Sequence, residues 1–165
     1  MTLSIEKRTH KPPRILIYGP PKVGKSTFGS LAPKPIFIQT EDGLDAIDAP
    51  AFPLCESFAQ VLQYLGELAT EAHDFETLVV DSTDWLERLI HAQVAKEKNV
   101  KSLEDIGYGK GYLFALDLWR QYIDCINYLR DNKNMMIIQI AHGHIKRFEN
   151  PETDSYDRYQ IKMHD

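Results

Sequence analysis

No stretch of the chain stays apolar for the length needed to cross a bilayer as a helix. Cysteine is scarce. Cys55 and Cys125 stand apart in apolar surroundings, without the paired spacing of a disulfide framework or a metal knuckle, and read as buried reduced thiols in a cytoplasmic protein. An excess of basic charge is also missing. Nineteen Lys and Arg face 24 Asp and Glu, a net charge of −5, so the whole chain is no polycation and any nucleic-acid contact must be local. Residues 1–13 are polar and basic, lack the apolar core of a secretion signal, and read as a flexible arm. Repeats and low-complexity tracts are absent. What remains is 165 residues, 43% hydrophobic and 26% charged, enough for one domain with a real core over residues 14–165.

Short apolar runs alternate with helical periods. Arg14 to Tyr18, Pro35 to Gln39, Thr77 to Val80 and Met135 to Ile140 read as strands, with Ala51 to Cys55 as a further short one. Lys25 to Leu31 reads as a short helix stopped by Pro33 and Pro35. Phe58, Val61, Leu62, Leu65, Leu68 and Ala69 share one face of a helix that Ser57 caps. A helix with Trp85, Leu86, Leu89 and Ile90 fades near Lys96 to Lys101, and Glu104 to Gly111 reads as a glycine-rich flexible connection. Tyr112 to Arg130 is a long amphipathic helix whose aromatic residues belong to the core. Beyond Ala141 the chain reads as polar and irregular. Strands apolar on both faces imply an α/β fold with a mainly parallel sheet covered by helices on both sides. Sheets of this kind commonly carry further strands, so a truncated C-terminus is expected. Ligands of such sheets bind at the carboxyl ends of the strands, and Lys25, Glu41, Asp81 and His142 all fall at such ends.

Gly19-Pro20-Pro21-Lys22-Val23-Gly24-Lys25-Ser26 matches the phosphate-cradling pattern G-x-x-x-x-G-K-[ST] in full, between a strand and a helix. Its glycines let backbone amides turn inward toward phosphate oxygens, and the start of the helix adds positive potential. Lys25 is the expected partner of the β- and γ-phosphates, the Ser26 hydroxyl a Mg²⁺ ligand, and Thr27 a neighbour of the α-phosphate. Asp81 ends an apolar strand and is expected to hold Mg²⁺ through water or through Ser26. Hydrolysis needs a carboxylate on the attacking water: Glu41 is the first choice and Asp42 the second. At the end of the Met135 strand, His142 is placed to sense the γ-phosphate, with Gln139 taking that role if the strand stops earlier. Metal binding by His142 and His144 lacks a third ligand, and a plain surface histidine is the other alternative. The guanine-reading N-K-x-D is absent, since Asn132-Lys133-Asn134-Met135 lacks its final Asp, which favours ATP.

This order of parts resembles the RecA-like ATPase core. Gly19 to Thr27, Leu78 to Ser82, Gly107 to Tyr112 and Ile138 to His144 are similar to phage-encoded nucleotide-binding proteins of the AAA type, which include RecA-like single-strand annealing proteins. The resemblance implies ATP hydrolysis, recombination or repair of phage DNA, assembly on single-stranded DNA, a homo-oligomer, and residence in the host cytoplasm. It also implies that Lys96 to Tyr112 and His144 to Lys162 are loops facing DNA. His142 departs from the glutamine usual in RecA.

The second of these segments carries Lys146, Arg147, Arg158 and Lys162 with Phe148, Tyr156 and Tyr159, a mixture suited to phosphates and stacked bases. Glu149, Glu152, Asp154, Asp157 and Asp165 lie among them, so a solvated loop fits equally well. Two other functions compete with a DNA-dependent ATPase. A P-loop kinase needs an arginine lid, and Arg120, Arg130, Arg147 and Arg158 do not cluster as one. An ATP-dependent switch of helicase-loader type would tolerate loss of Glu41.

Overall fold

A computed structural model of the protein describes residues 10–164. Among the described residues the elements run β1 (Arg14–Gly19), α1 (Lys25–Ser30), β2 (Pro35–Gln39), α2 (Phe58–Thr70), β3 (Thr77–Asp81), α3 (Thr83–Glu97), a 3-10 turn (Leu103–Ile106), α4 (Lys110–Asn132), β4 (Met136–Phe148) and β5 (Tyr156–Ile161). The parallel part of the sheet has the order β1-β4-β3-β2, and β5 joins β4 antiparallel. The expected α/β architecture, a mostly parallel sheet flanked by helices, is therefore present.

The two-sided apolar pattern of the central strands divides between two packing faces. Ile36, Ile38, Leu78, Val80 and Ile137 meet the buried faces of α2, α3 and α4. Phe37, Val79, Ile138 and Ile140 face the opposite way, toward Ile15, Ile17, Leu44 and Ile47. Each large aliphatic chain buried there contributes about 1.5–3 kcal/mol of transfer free energy. Helix α1 lies so close to this second face that a Cβ on Gly29 would come 2.8 Å from Val79 Cγ1. Ser57 caps α2 as expected, accepting the Gln60 amide at 3.3 Å.

Three expectations need correction. Ala51 to Cys55 forms no strand. It follows the open edge of β2 through Phe37 N to Pro50 O, Phe52 N to Phe37 O and Cys55 N to Gln39 O, with one bridge at Ala51. Pro50 and Pro53 have no N–H to give, so a ladder cannot continue. The Glu104–Gly111 connection is partly built: Ser102 and Asp105 form a capping box over the 3-10 turn, and a Cβ on Gly111 would lie 2.5 Å from Leu103 O. The third correction is the region after Ala141, where β4 continues to Phe148 and returns as β5. Residues 1–9 of the expected arm lie outside the described residues. Lys11 meets Asp131 at 2.8 Å, and Pro12 O accepts from Arg130 Nε at 2.6 Å.

Candidate functional site

Strand order gathers the polar strand ends. Because β4 lies between β1 and β3, register places Gly19 beside His142 and Asp81 beside Ile140, while Gln39 of β2 pairs with Asp81. The turn after β1, the loop after β2 and the ends of β3 and β4 thus open into one cavity of about 490 Å³. Its walls include Lys25, Ser26, Glu41, Asp42, Asp81 and His142.

The Gly19–Ser26 turn is bent by residues in the left-handed region, Gly24 at φ 96° and Lys22 at φ 63°. Gly19 adopts no such angle. Its neighbourhood is constrained from the other side, because a Cβ on Gly143 of β4 would sit 3.1 Å from Gly19 Cα. Pro20, Pro21, Lys22 and Val23 form the exposed crest of the turn, except that Pro21 and Lys22 also line the cavity. Lys25 is 8% exposed, and its ammonium donates to Pro20 O at 2.9 Å and Gly19 O at 3.2 Å, so the charge already sits inside the turn. Thr27 lies on the cavity wall one position beyond Ser26.

Ser26 Oγ donates to Asp81 Oδ2 at 2.5 Å. Burial pushes the Asp81 carboxyl above its ordinary value, while the Ser26 hydrogen bond and the charges of His142 and Lys25 pull it back. A hydroxyl and a carboxylate meeting at one point are hard oxygen donors of the kind that suits a small divalent cation.

Glu41 follows β2, and Thr40 fixes its approach: Thr40 Oγ1 donates to Ser82 O at 2.6 Å and accepts from Ser82 N at 2.9 Å. Burial raises the Glu41 carboxyl above its usual range. Its Oε1 lies 3.6 Å from His142 Nδ1. The same ring nitrogen is 3.0 Å from Asp84 Oδ2 and 3.2 Å from Asp84 Oδ1, and the His142 amide donates to Asp84 Oδ1 at 2.9 Å. Asp84 is 4% exposed, in the first turn of α3. Burial would raise its carboxyl, but the His142 amide, Ser82 and the His142 ring outweigh that and hold it below its ordinary value. The Ser82 hydroxyl is buried beside both carboxylates and tempers each, with no atom in good hydrogen-bond geometry to it. Gln139 does not reach the cavity. Its Oε1 accepts from the buried Tyr122 hydroxyl at 2.9 Å, and β4 runs on past it, which removes it as the alternative sensor.

Asp84 and Gly143 are the site residues that the sequence did not disclose. An acid in the first turn of a helix ordinarily reads as a complement to the helix dipole. A glycine between two histidines gives no sign that another backbone lies against it.

The β4–β5 hairpin sorts its charges by face. Register pairs His144 with Gln160, Lys146 with Arg158 and Phe148 with Tyr156, and alternation puts these six residues on one face. Arg158 lies over the Phe148 ring at 4.2 Å, and Phe148 meets Tyr156 at 5.4 Å. The Lys162 amide donates to His142 O at 2.8 Å. The opposite face carries Ile145 against Tyr159 and Arg147 against Asp157. Of the six residues expected to contact nucleic acid, Lys146, Tyr156 and Arg158 therefore share a face, Arg147 and Tyr159 lie on the other, and Lys162 follows the end of β5. Glu149, Glu152 and Asp154 lie in the turn beyond the strands.

A family model described as an AAA domain matches residues 11–165. The chain is also similar to the SPbeta prophage-derived uncharacterized protein YorG of Bacillus subtilis (strain 168), with 29% identity over 112 residues. That match covers 66% of this chain and 33% of the relative, so it spans about a third of the relative's length. With the sheet and the glycine turn already described, the fold is that of a RecA-like P-loop NTPase. Among the described residues, no helix is long and apolar enough to cross a membrane.

Proposed function

The chain belongs to the AAA-domain family, and from that premise we propose that it binds ATP with Mg²⁺ in the Gly19–Ser26 cavity, hydrolyses it, and acts on single-stranded DNA in phage recombination or repair. The observation that carries the ATPase reading is the convergence of Lys25, the Ser26–Asp81 pair and Glu41 on one cavity.

Lys25 leaves the Gly19 and Pro20 carbonyls and donates to the terminal phosphates, exchanging neutral acceptors for charged ones. Backbone amides of residues 22–26 hold the phosphate tail. The Ser26 hydroxyl and, through water or through Ser26, Asp81 would hold Mg²⁺, which would neutralise charge on the phosphate oxygens. Glu41 orients a water for attack on the terminal phosphorus and takes its proton as ADP leaves. A carboxyl raised by burial is a stronger base than an ordinary glutamate. His142 lies beside Glu41 on the wall of the same cavity.

The hairpin face supports the DNA reading. Lys146 and Arg158, with Lys162 just beyond β5, neutralise phosphates, while Phe148 and Tyr156 offer rings on which bases stack without regard to sequence. A homo-oligomer along the strand follows from the same reading. The kinase alternative is weakened by where the arginines lie: Arg130 bonds Pro12 and Asp131, Arg120 bonds Asp117, and Arg158 covers Phe148. ATP turnover measured with and without single-stranded DNA across a salt series tests the reading. Stimulation that fades with salt supports it, whereas turnover indifferent to DNA removes the DNA part.

A further inference from the structure

We propose that Asp84 is a positioning residue for nucleotide hydrolysis, orienting the His142 ring so that Nδ1–H points to Asp84 and the Nε2 lone pair is left to accept a hydrogen bond from water in the cavity. The proposal rests on the ATPase reading above and adds a residue to it. Three observations carry it. Both Asp84 oxygens lie within hydrogen-bond range of His142 Nδ1, at 3.0 and 3.2 Å. Asp84 is also anchored, since Oδ1 accepts the His142 backbone amide at 2.9 Å and the side chain is almost wholly buried. His142 lines the cavity with Lys25 and Ser26.

An imidazole has two distinct nitrogens, and the partner of one decides what the other can do. A carboxylate accepts only, so it keeps a proton on Nδ1 and suppresses the tautomer protonated at Nε2 alone. Both nearby acids, Asp84 at the start of α3 and Glu41 after β2, approach the same nitrogen, Nδ1, and Asp84 is the closer. Glu41 is the carboxylate assigned to the water. Asp84 thereby sets the distance between His142 and Glu41 without touching nucleotide itself.

Asp84→Asn separates positioning from plain structural support. Asparagine keeps an oxygen for the His142 amide and loses the negative charge facing the ring. Long-range ¹H–¹⁵N NMR of the free full-length protein reads the His142 tautomer directly, and thermal melts report folding. Expected are Nδ1 protonation in the wild type and its loss or scrambling in D84N. Turnover should fall about 10- to 100-fold in kcat with KM for ATP little changed, since a carboxylate that fixes a tautomer acts on the reacting geometry. H142A should fall comparably, and D84N/H142A no further than either. An unchanged tautomer in D84N overturns the proposal. So does a D84N enzyme that turns over like a hydrolysing wild type, or a double variant whose losses multiply. A wild type that binds but never hydrolyses ATP defeats the ATPase reading instead, and the tautomer measurement alone then decides the role of Asp84.

Discussion

Ser26 and Asp81, 55 positions apart in sequence, meet through a hydrogen bond of 2.5 Å at the mouth of the glycine turn. The contact joins the first turn of α1 to the end of β3 and brings together the two oxygens assigned to Mg²⁺. Ser26→Ala and Asp81→Asn should each weaken Mg²⁺-supported ATP binding by about 10- to 100-fold, while binding measured in EDTA changes little. The double variant should lose less than the product of the two, because both remove one cation site. Titrations with and without Mg²⁺ read this difference.

Glu41→Gln should lower turnover by about 10²–10⁴-fold and leave ATP binding intact. It should also raise the melting temperature at pH 7. Burial lifts the folded-state value of Glu41 above the unfolded one, so its ionised form costs stability above the folded value. That cost disappears as pH falls through the raised value to below the unfolded one. Asp84 has the opposite sign. Its lowered carboxyl contributes stability that is present above the unfolded value and lost as pH falls through the folded one, so Asp84→Asn should lower the melting temperature at pH 7. Melts of both variants across pH 3–8 check the two signs together.

Gly143→Ala places a methyl 3.1–3.4 Å from the Gly19 backbone, tighter than ordinary contact. Either β4 or the glycine turn must give by a few tenths of an ångström. The expected result is a loss of about 1–3 kcal/mol in stability together with weaker ATP binding. Gly66→Ala in α2, where an added Cβ meets nothing within 4 Å, is the control and should leave both unchanged or improved.

On the hairpin, Lys146→Ala and Arg158→Ala should each weaken single-stranded DNA binding and reduce the slope of log K against log salt by about 0.7. Arg147→Ala, on the face it shares with Asp157, should leave the slope nearly unchanged. Tyr156→Ala should weaken binding by about 1–3 kcal/mol with the slope intact, because stacking releases no counterions.

The strands and helices that shape the cavity could be read from sequence because apolar periodicity and glycine chemistry are local properties. Thr77 to Val80 is apolar on both faces and could only be an inner strand, and Ser57 announces the helix it caps. The hairpin was hidden by charge. His144 to Phe148 and Tyr156 to Ile161 alternate with period two, but their polar content masks the pattern of a buried strand, and Glu149 to Ser155 between them looks like the core of a loop. Sorting of cations from acids depends on register, and composition carries none of it. Asp84 was out of reach for a related reason: its partner lies 58 positions away on another element, and only strand order brings them together.

The central claim is that the cavity around Lys25 holds the phosphates of Mg²⁺-bound ATP. Calorimetric titration of a slowly hydrolysed ATP analogue in Mg²⁺ buffer, into the wild type and into Lys25→Ala, tests it most directly. The account predicts one site per chain in the wild type and an affinity at least about tenfold weaker in the variant, as loss of a charge-assisted contact to phosphate requires. Equal affinity in the two proteins, or no binding to the folded wild type, would contradict it.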